Sequence, residues 1–236
     1  MSSRAQIHDI GYAPYRGPRL PTGRRFWIIA KNVLAVAYKT RWALKGMIAL
    51  SLVTVAIGCV TLYLAHMGNQ LASGLGQGHG RAGAPLLKVD ATLGEMVSAF
   101  VWQSFILALM FGCSAVANDL RLGAFQFYFS RPIFPRHYVA GKLLGVSLLA
   151  AIPLLFGMVL LALFRLLLAP SFSDALGLLP VVLKAIVVGA LGTAAIAFPA
   201  TAAGAVLKNR WGAFALFTVF VLVTRGVASL FAVTFD

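Results

Sequence analysis

Five apolar stretches limit what this chain can become. They lie at about 46–66, 95–117, 143–168, 176–204 and 211–231. A helix needs roughly 20 such residues to cross the hydrocarbon layer. Lipid offers the backbone no hydrogen bonds, so segments of this kind close their own as helices. Of the 236 residues, 60% are hydrophobic and 11% charged, and the mean hydropathy is +0.88. These values lie outside the range of soluble domains. The expected fold is an all-α polytopic membrane protein.

The net charge of +14 raises the question of nucleic acid, but its distribution points elsewhere. Nine of the 20 basic residues come before residue 46. Arg121, Arg131, Arg136 and Lys142 sit between the second and third spans, and Lys208 and Arg210 follow the fourth. Loop 67–94 carries only Arg81 and Lys88, and loop 169–175 carries none. Alternation of this kind is the positive-inside pattern, so the N-terminus is expected in the cytoplasm and no nucleic-acid partner is expected. Cys59 and Cys113 fall inside spans and read as small core residues rather than a disulfide framework. The polar, basic start is too long for a signal peptide.

Residues 1–23 are rich in Gly, Pro and Arg and read as an irregular leader. From Arg24 to Lys45 the pattern is helical. Arg24, Arg25, Lys31, Asn32, Lys39, Arg41 and Lys45 alternate with Phe26, Ile29, Ala30, Val33, Leu34 and Ala37. Such a helix can lie in the headgroup layer or pack on the protein's own cytoplasmic side, and the two are compatible. The chain therefore divides into a leader with an amphipathic helix, 1–45, and a transmembrane domain, 46–236. Loop 67–94 is glycine-rich, and its composition predicts flexibility. His66 and His79, near that loop, have no neighbouring carboxylate or cysteine and do not form a metal-ligand pattern. The small residues of span four, among them Gly189, Gly192, Ala200 and Gly204, suit close helix packing in the bundle or at a dimer interface.

No acidic residue lies in the middle of a span, which weakens any proton-coupled scheme. The sequence also lacks HExxH, GxSxG and a P-loop. No catalytic residue, metal ligand or resident cofactor is therefore assigned, and any ATP and magnesium must be held by another chain. Three cations interrupt the spans: Arg165, Lys184 and Arg225. A charge at mid-bilayer costs about 2.5–3.5 kcal/mol on insertion scales. Arg165 is near enough to the outer end of its span to snorkel. Lys184 and Arg225 either line a substrate path or snorkel outward as well.

The segment between spans two and three is the most specific part of the chain. It contains Asp119, Arg121 and Gly123, then Phe125, Phe127 and Phe129, then Ser130-Arg131-Pro132, Arg136-His137-Tyr138 and Gly141-Lys142. Of these, Asp119, Gly123, Ser130-Arg131-Pro132, Arg136-His137-Tyr138 and Gly141-Lys142 in this order resemble the first cytoplasmic loop of bacterial ABC-2-type transporter permeases. The basic helix before span one and the Leu207-Lys208-Asn209-Arg210 turn are also similar to that family. The resemblance implies a type V ABC exporter-like helical bundle with an N-terminal interfacial helix. It implies a second permease, as homodimer or heterodimer, and two P-loop ATP-binding subunits in a bacterial cytoplasmic membrane. Loop 118–142 would dock on the ATPase, with Asp119, Arg121, Phe125, Phe127, Phe129, Arg131, Pro132, Arg136, Tyr138 and Lys142 as coupling residues. In this role the phenylalanines are the apolar anchor, the arginines set register and the prolines stiffen the turn. A membrane-hugging loop, with aromatics in the interface and cations on lipid phosphates, is the competing reading.

The family usually has six spans and this sequence supplies five. A further span beyond residue 236, a segment 211–236 that bends back and a five-span variant would each account for that. The first is expected, because a missing helix leaves one bundle face open. Two other functions compete with export: a membrane scaffold that recruits a soluble complex through the same loop, and a secondary transporter. The apolar, small-residue composition suits a lipid-like or amphipathic cargo. A reporter domain fused after residue 130 is expected to signal from the cytoplasm, and one fused after residue 80 from the opposite side. The reverse pattern would overturn the orientation.

Overall fold

The computed structural model describes residues 25–75, 89–129, 134–169 and 171–235. Among them every regular element is helical. Helix α1 (Arg25–Lys39) leads through a break at Thr40 into α2 (Arg41–Leu75). Helix α3 (Val89–Leu107) continues through a π-helical segment, Ala108–Cys113, into α4 (Ser114–Arg121). A short α5 (Ala124–Phe129) follows. Helix α6 (Pro135–Ala151) passes through a second π-helical segment, Ile152–Phe156, into α7 (Gly157–Leu167). The long α8 (Phe172–Val206) and α9 (Arg210–Phe235) complete the fold.

Five segments are long and apolar enough to cross a membrane: Trp42–Gly68, Gly94–Arg121, Pro135–Leu167, Phe172–Val206 and Arg210–Phe231. They coincide with the five expected stretches but extend further at most ends. The helices carry through polar residues that hydropathy alone assigns to loops. His66 belongs to α2, where its ring lies 2.9 Å from Gln70 Nε2, and His79 lies outside the described residues. Residues 210–235 form one continuous helix, so the segment does not bend back.

Helix α8 is the hub of the bundle, packing on α4, α6, α7 and α9 and on both π-helical segments. Its N-terminus is capped by Ser171, whose Oγ accepts from the Asp174 amide at 3.2 Å and donates to the Asp174 carboxylate at 2.6 Å. The central core joins Val33, Leu107, Phe111, Val146, Leu149 and Ala197 from four helical stretches. Beside it Phe105 stacks on Phe217 at 5.1 Å and attaches α9 to the bundle. Otherwise α9 is peripheral: 6% of its most apolar window is buried, against 50% for the third span.

Inside a membrane there is little hydrophobic drive for helices to associate, so close approach and hydrogen bonds must hold them. Both are present. Ser51 Oγ donates to Gln103 Oε1 at 2.8 Å, and Gln103 Nε2 donates to Thr54 Oγ1 at 2.7 Å, joining α2 to α3. Ser104 Oγ donates to the Ala150 carbonyl at 2.7 Å, joining α3 to α6. At Gly204, any Cβ would run into the carbonyl of Cys113, so α8 presses directly on the first π-helical segment.

The amphipathic helix α1 uses its apolar face on the protein. Ile29, Ala30, Val33 and Ala37 are buried. Gly141 of α6 meets the Phe26 carbonyl and Ile29, and Gly145 meets the Ala30 carbonyl and Val33, so the two helices run in the same direction. The outer face of α1 carries Lys31, Asn32 and Lys39 among exposed Trp27, Ile28, Val36 and Tyr38. The packing of α1 on the protein's own helices is therefore what the structure shows, and its outer face has the mixture that suits a headgroup layer.

A Cβ at Gly145 would stand 2.7 Å from Val33 Cβ, whereas Gly46 has nothing within 4 Å. Gly145→Leu is therefore expected to cost about 1–3 kcal/mol through overpacking. Gly46→Leu should be near neutral by thermal unfolding in detergent. Equal effects at the two positions would show that α1 does not depend on this close approach.

Candidate docking corner at the α4–α6 end

The segment expected to be a loop, 118–142, is mostly helical. Asn118 to Arg121 finish α4, and Pro135 to Lys142 begin α6. Among the described residues the irregular part is therefore much shorter than the sequence suggested, and Asp119, Tyr138 and Lys142 sit on helix ends held close together.

Gly123 ends α4. Its φ of +65° places it in the left-handed region, where a side chain would be strained. The Leu122 amide reaches back to the Asn118 carbonyl at 3.0 Å, and the Gly123 carbonyl accepts from Gln126 at 3.2 Å. One helix thus closes and the next opens within a single turn. At the other side, Phe134 is extended (φ −76°, ψ 149°) and Pro135 starts α6, where the missing amide is harmless.

Between these ends lies a buried ion pair. Lys142 Nζ is 2.8 Å from Asp119 Oδ2, with side-chain exposures of 6% and 17%. The same ammonium donates to the Ala115 carbonyl at 2.8 Å and lies 5.6 Å from the Tyr138 ring centre. Tyr138 donates its hydroxyl to Asp119 Oδ2 at 2.8 Å, and Phe125 of α5 rests on its ring at 5.1 Å. Burial of two ions is tolerable because each is paired and further hydrogen-bonded. The result is a clamp from α4 to α6 with α5 leaning on it.

The sequence-assigned coupling residues therefore divide into two groups. Asp119, Tyr138 and Lys142 face one another and are largely buried, and Phe125 packs on them. Arg121 and Arg136 are exposed, the latter with its guanidinium 5.2 Å from the Phe134 ring centre. Phe127 and Phe129 lie on α5, but their side chains, like Arg131 and Pro132, fall outside the described residues. His137 Nδ1 is buried without a hydrogen-bond partner among the described residues. The sequence reading named Asp119 and Lys142 as coupling residues but not as a pair, since the two are 23 positions apart.

Lys184 and Arg225 have different surroundings. Arg225 on α9 stacks over Trp102 of α3 at 5.0 Å, which gives its charge an aromatic partner. Lys184 is exposed on α8 and lines a cleft with Arg165. Beside the corner, a second cleft of about 430 Å³ runs between Val116, Leu120, Phe125, Leu143, Phe198 and Ala202 and is almost wholly apolar.

Compared with protein-family models, curated proteins and solved structures, the chain matches none.

Removing one partner of a buried ion pair leaves the other charge stranded, at roughly 3 kcal/mol or more. Lys142→Met should lower stability by about that amount. Combining it with Asp119→Asn should cost clearly less than the sum of the two single changes, with a coupling of about 0.5–3 kcal/mol. Strict additivity in thermal unfolding would argue against the clamp.

Proposed function

We propose that this chain is the permease subunit of an ATP-driven exporter of the ABC-2 type in a bacterial cytoplasmic membrane. It works as a pair of permeases with two separate P-loop ATPases, and its N-terminus is cytoplasmic. ATP and magnesium belong to the partner, and this chain performs no covalent chemistry.

The observation that carries the reading is the clamped corner. A partner pushing on α5 meets Phe125, which bears on Tyr138. Tyr138 and Lys142 hold Asp119. The load therefore passes to the ends of the second and third spans together, rather than being lost in a slack loop. Exposed Arg121 and Arg136 flank α5 and suit an acidic docking surface. A scaffold would also use an exposed basic corner, but it would have no need for a buried tie between two spans.

The test is co-purification from the native membrane in mild detergent, comparing wild type with Arg121→Glu/Arg136→Glu. Both arginines are exposed, so folding should survive the charge reversal. A P-loop ATPase is expected with wild type, and its recovery should fall about tenfold or more in the variant, as two rim charges of roughly 1 kcal/mol each would give. Capture of a soluble complex without ATPase activity would favour the scaffold. No captured protein with either form would remove the motor from the proposal.

A further inference from the structure

Arg165 and Lys184 were each read from the sequence as an isolated cation. In the fold they line one cleft of about 300 Å³, together with Val97 of α3, Met158, Leu161 and Ala162 of α7, and Val181, Ala185 and Val188 of α8. The register explains the convergence. Gly189 faces Leu155, and Gly192 faces Leu154, so α8 runs antiparallel to the span that contains α7. Counting back along α8 from Gly189 brings Lys184 level with Leu160 and Leu161, about one helical turn from Arg165. Helical side chains lean toward their own N-terminus. On antiparallel helices these two cations therefore lean toward each other.

Neither cation has an ion-pair or hydrogen-bond partner among the described residues. Lys142, which lines the larger cleft, already has Asp119 and Ala115 as partners, and Arg225 has the ring of Trp102. The walls around Arg165 and Lys184 are otherwise hydrocarbon, and the cleft lies within the membrane-spanning length of α7 and α8. Two unpaired cations in a low-dielectric setting repel each other unless an anion sits between them. At about 300 Å³ the cleft is at the small end of ligand sites, which fits a chain-like apolar group rather than a bulky ring system.

We infer that the α3–α7–α8 cleft binds an anionic lipid of the surrounding bilayer, its acidic headgroup between Arg165 and Lys184 and an acyl chain along Val97, Leu161 and Val188. The site goes beyond the exporter reading and does not depend on ATPase docking. It depends only on the helices being in a membrane.

The test is a thermal-unfolding titration of the purified chain in a non-ionic detergent, with phosphatidylglycerol or phosphatidylcholine of matched acyl chains. Phosphatidylglycerol should stabilise at about tenfold lower concentration, the effect of one charge-assisted contact. Arg165→Leu/Lys184→Leu should erase that preference. Val188→Trp, which keeps both charges but fills the cleft, should weaken binding of phosphatidylglycerol by a similar factor. Lys208→Gln/Arg210→Gln, outside the cleft, should leave it unchanged. Equal stabilisation by the two lipids, a preference that survives the double leucine variant, or an equal loss with the Lys208/Arg210 control would each overturn the site. So would inorganic phosphate reproducing the stabilisation, since the cleft would then take a free anion rather than a lipid. ATPase co-purification is read separately, so either proposal can fail without the other.

Discussion

Hydrocarbon cannot accept a hydrogen bond from a peptide group, and most of this structure follows from that. Every described regular element is helical because a helix alone closes its own backbone bonds along a single segment. The same constraint governs how the helices meet. Burying apolar side chains against one another gains little when the alternative is lipid, so backbone proximity and polar side chains do the joining. Gly141, Gly145 and Gly204 each bring one helix onto the backbone of another. Ser51, Thr54 and Gln103 close a small polar ring between α2 and α3. The two π-helical segments belong to the same logic. One contains Pro153, which lacks an amide, and the other turns Gly112 and Cys113 onto α8 at Ala200 and Gly204.

The Asp119–Lys142 pair is the exception that needs a reason. Buried ion pairs often contribute little net stability compared with a well-packed apolar alternative. Their usual value is positional, since a charge has few acceptable partners where a leucine has many. Here the pair fixes where α4 ends relative to where α6 begins, and Tyr138 adds a second bond to the same carboxylate oxygen. A corner built only from apolar contacts could slide. This one resists sliding until the pair breaks, which is the property a load-transmitting joint requires.

Much of the architecture was legible in the sequence, because the signal for a spanning helix is long and redundant. Five apolar stretches became five candidate spans. Boundaries were less legible. Asn118-Asp119-Leu120-Arg121 looks like loop by hydropathy, yet it is helix, and there Asp119 pairs with a lysine 23 residues away. Pairings across the bundle were the least legible. Nothing local tells Lys184 that Arg165 stands one turn away, since the register is set by Gly189 against Leu155 and Gly192 against Leu154. Likewise nothing local in the sequence places Arg225 over Trp102. Amphipathic periodicity identified the buried face of α1 but not the helix that covers it, which is α6.

The two ends of the bundle now differ in a physically useful way. At the α4–α6 end the buried charges are paired: lysine, carboxylate, hydroxyl and carbonyl satisfy one another, and two spans are tied, while Arg121 and Arg136 stay exposed beside them. Toward the α7–α8 turn the charges are unspent, and the walls around them are apolar. A tied end suits the transmission of force, while an end with free cations suits an anion. Both lie on the span formed by α6 and α7, and the second π-helical segment lies between them. A π turn has a looser register than the α-helix on either side, and such turns recur at functional sites. Displacement of α6 by a partner at the corner would therefore reach the Arg165 cleft through Ile152–Phe156. There the packing of Leu154 and Leu155 against Gly192 and Gly189 sets the width between α7 and α8. The same contacts that bring Lys184 within about one turn of Arg165 thus lie on the route by which the corner would act on them.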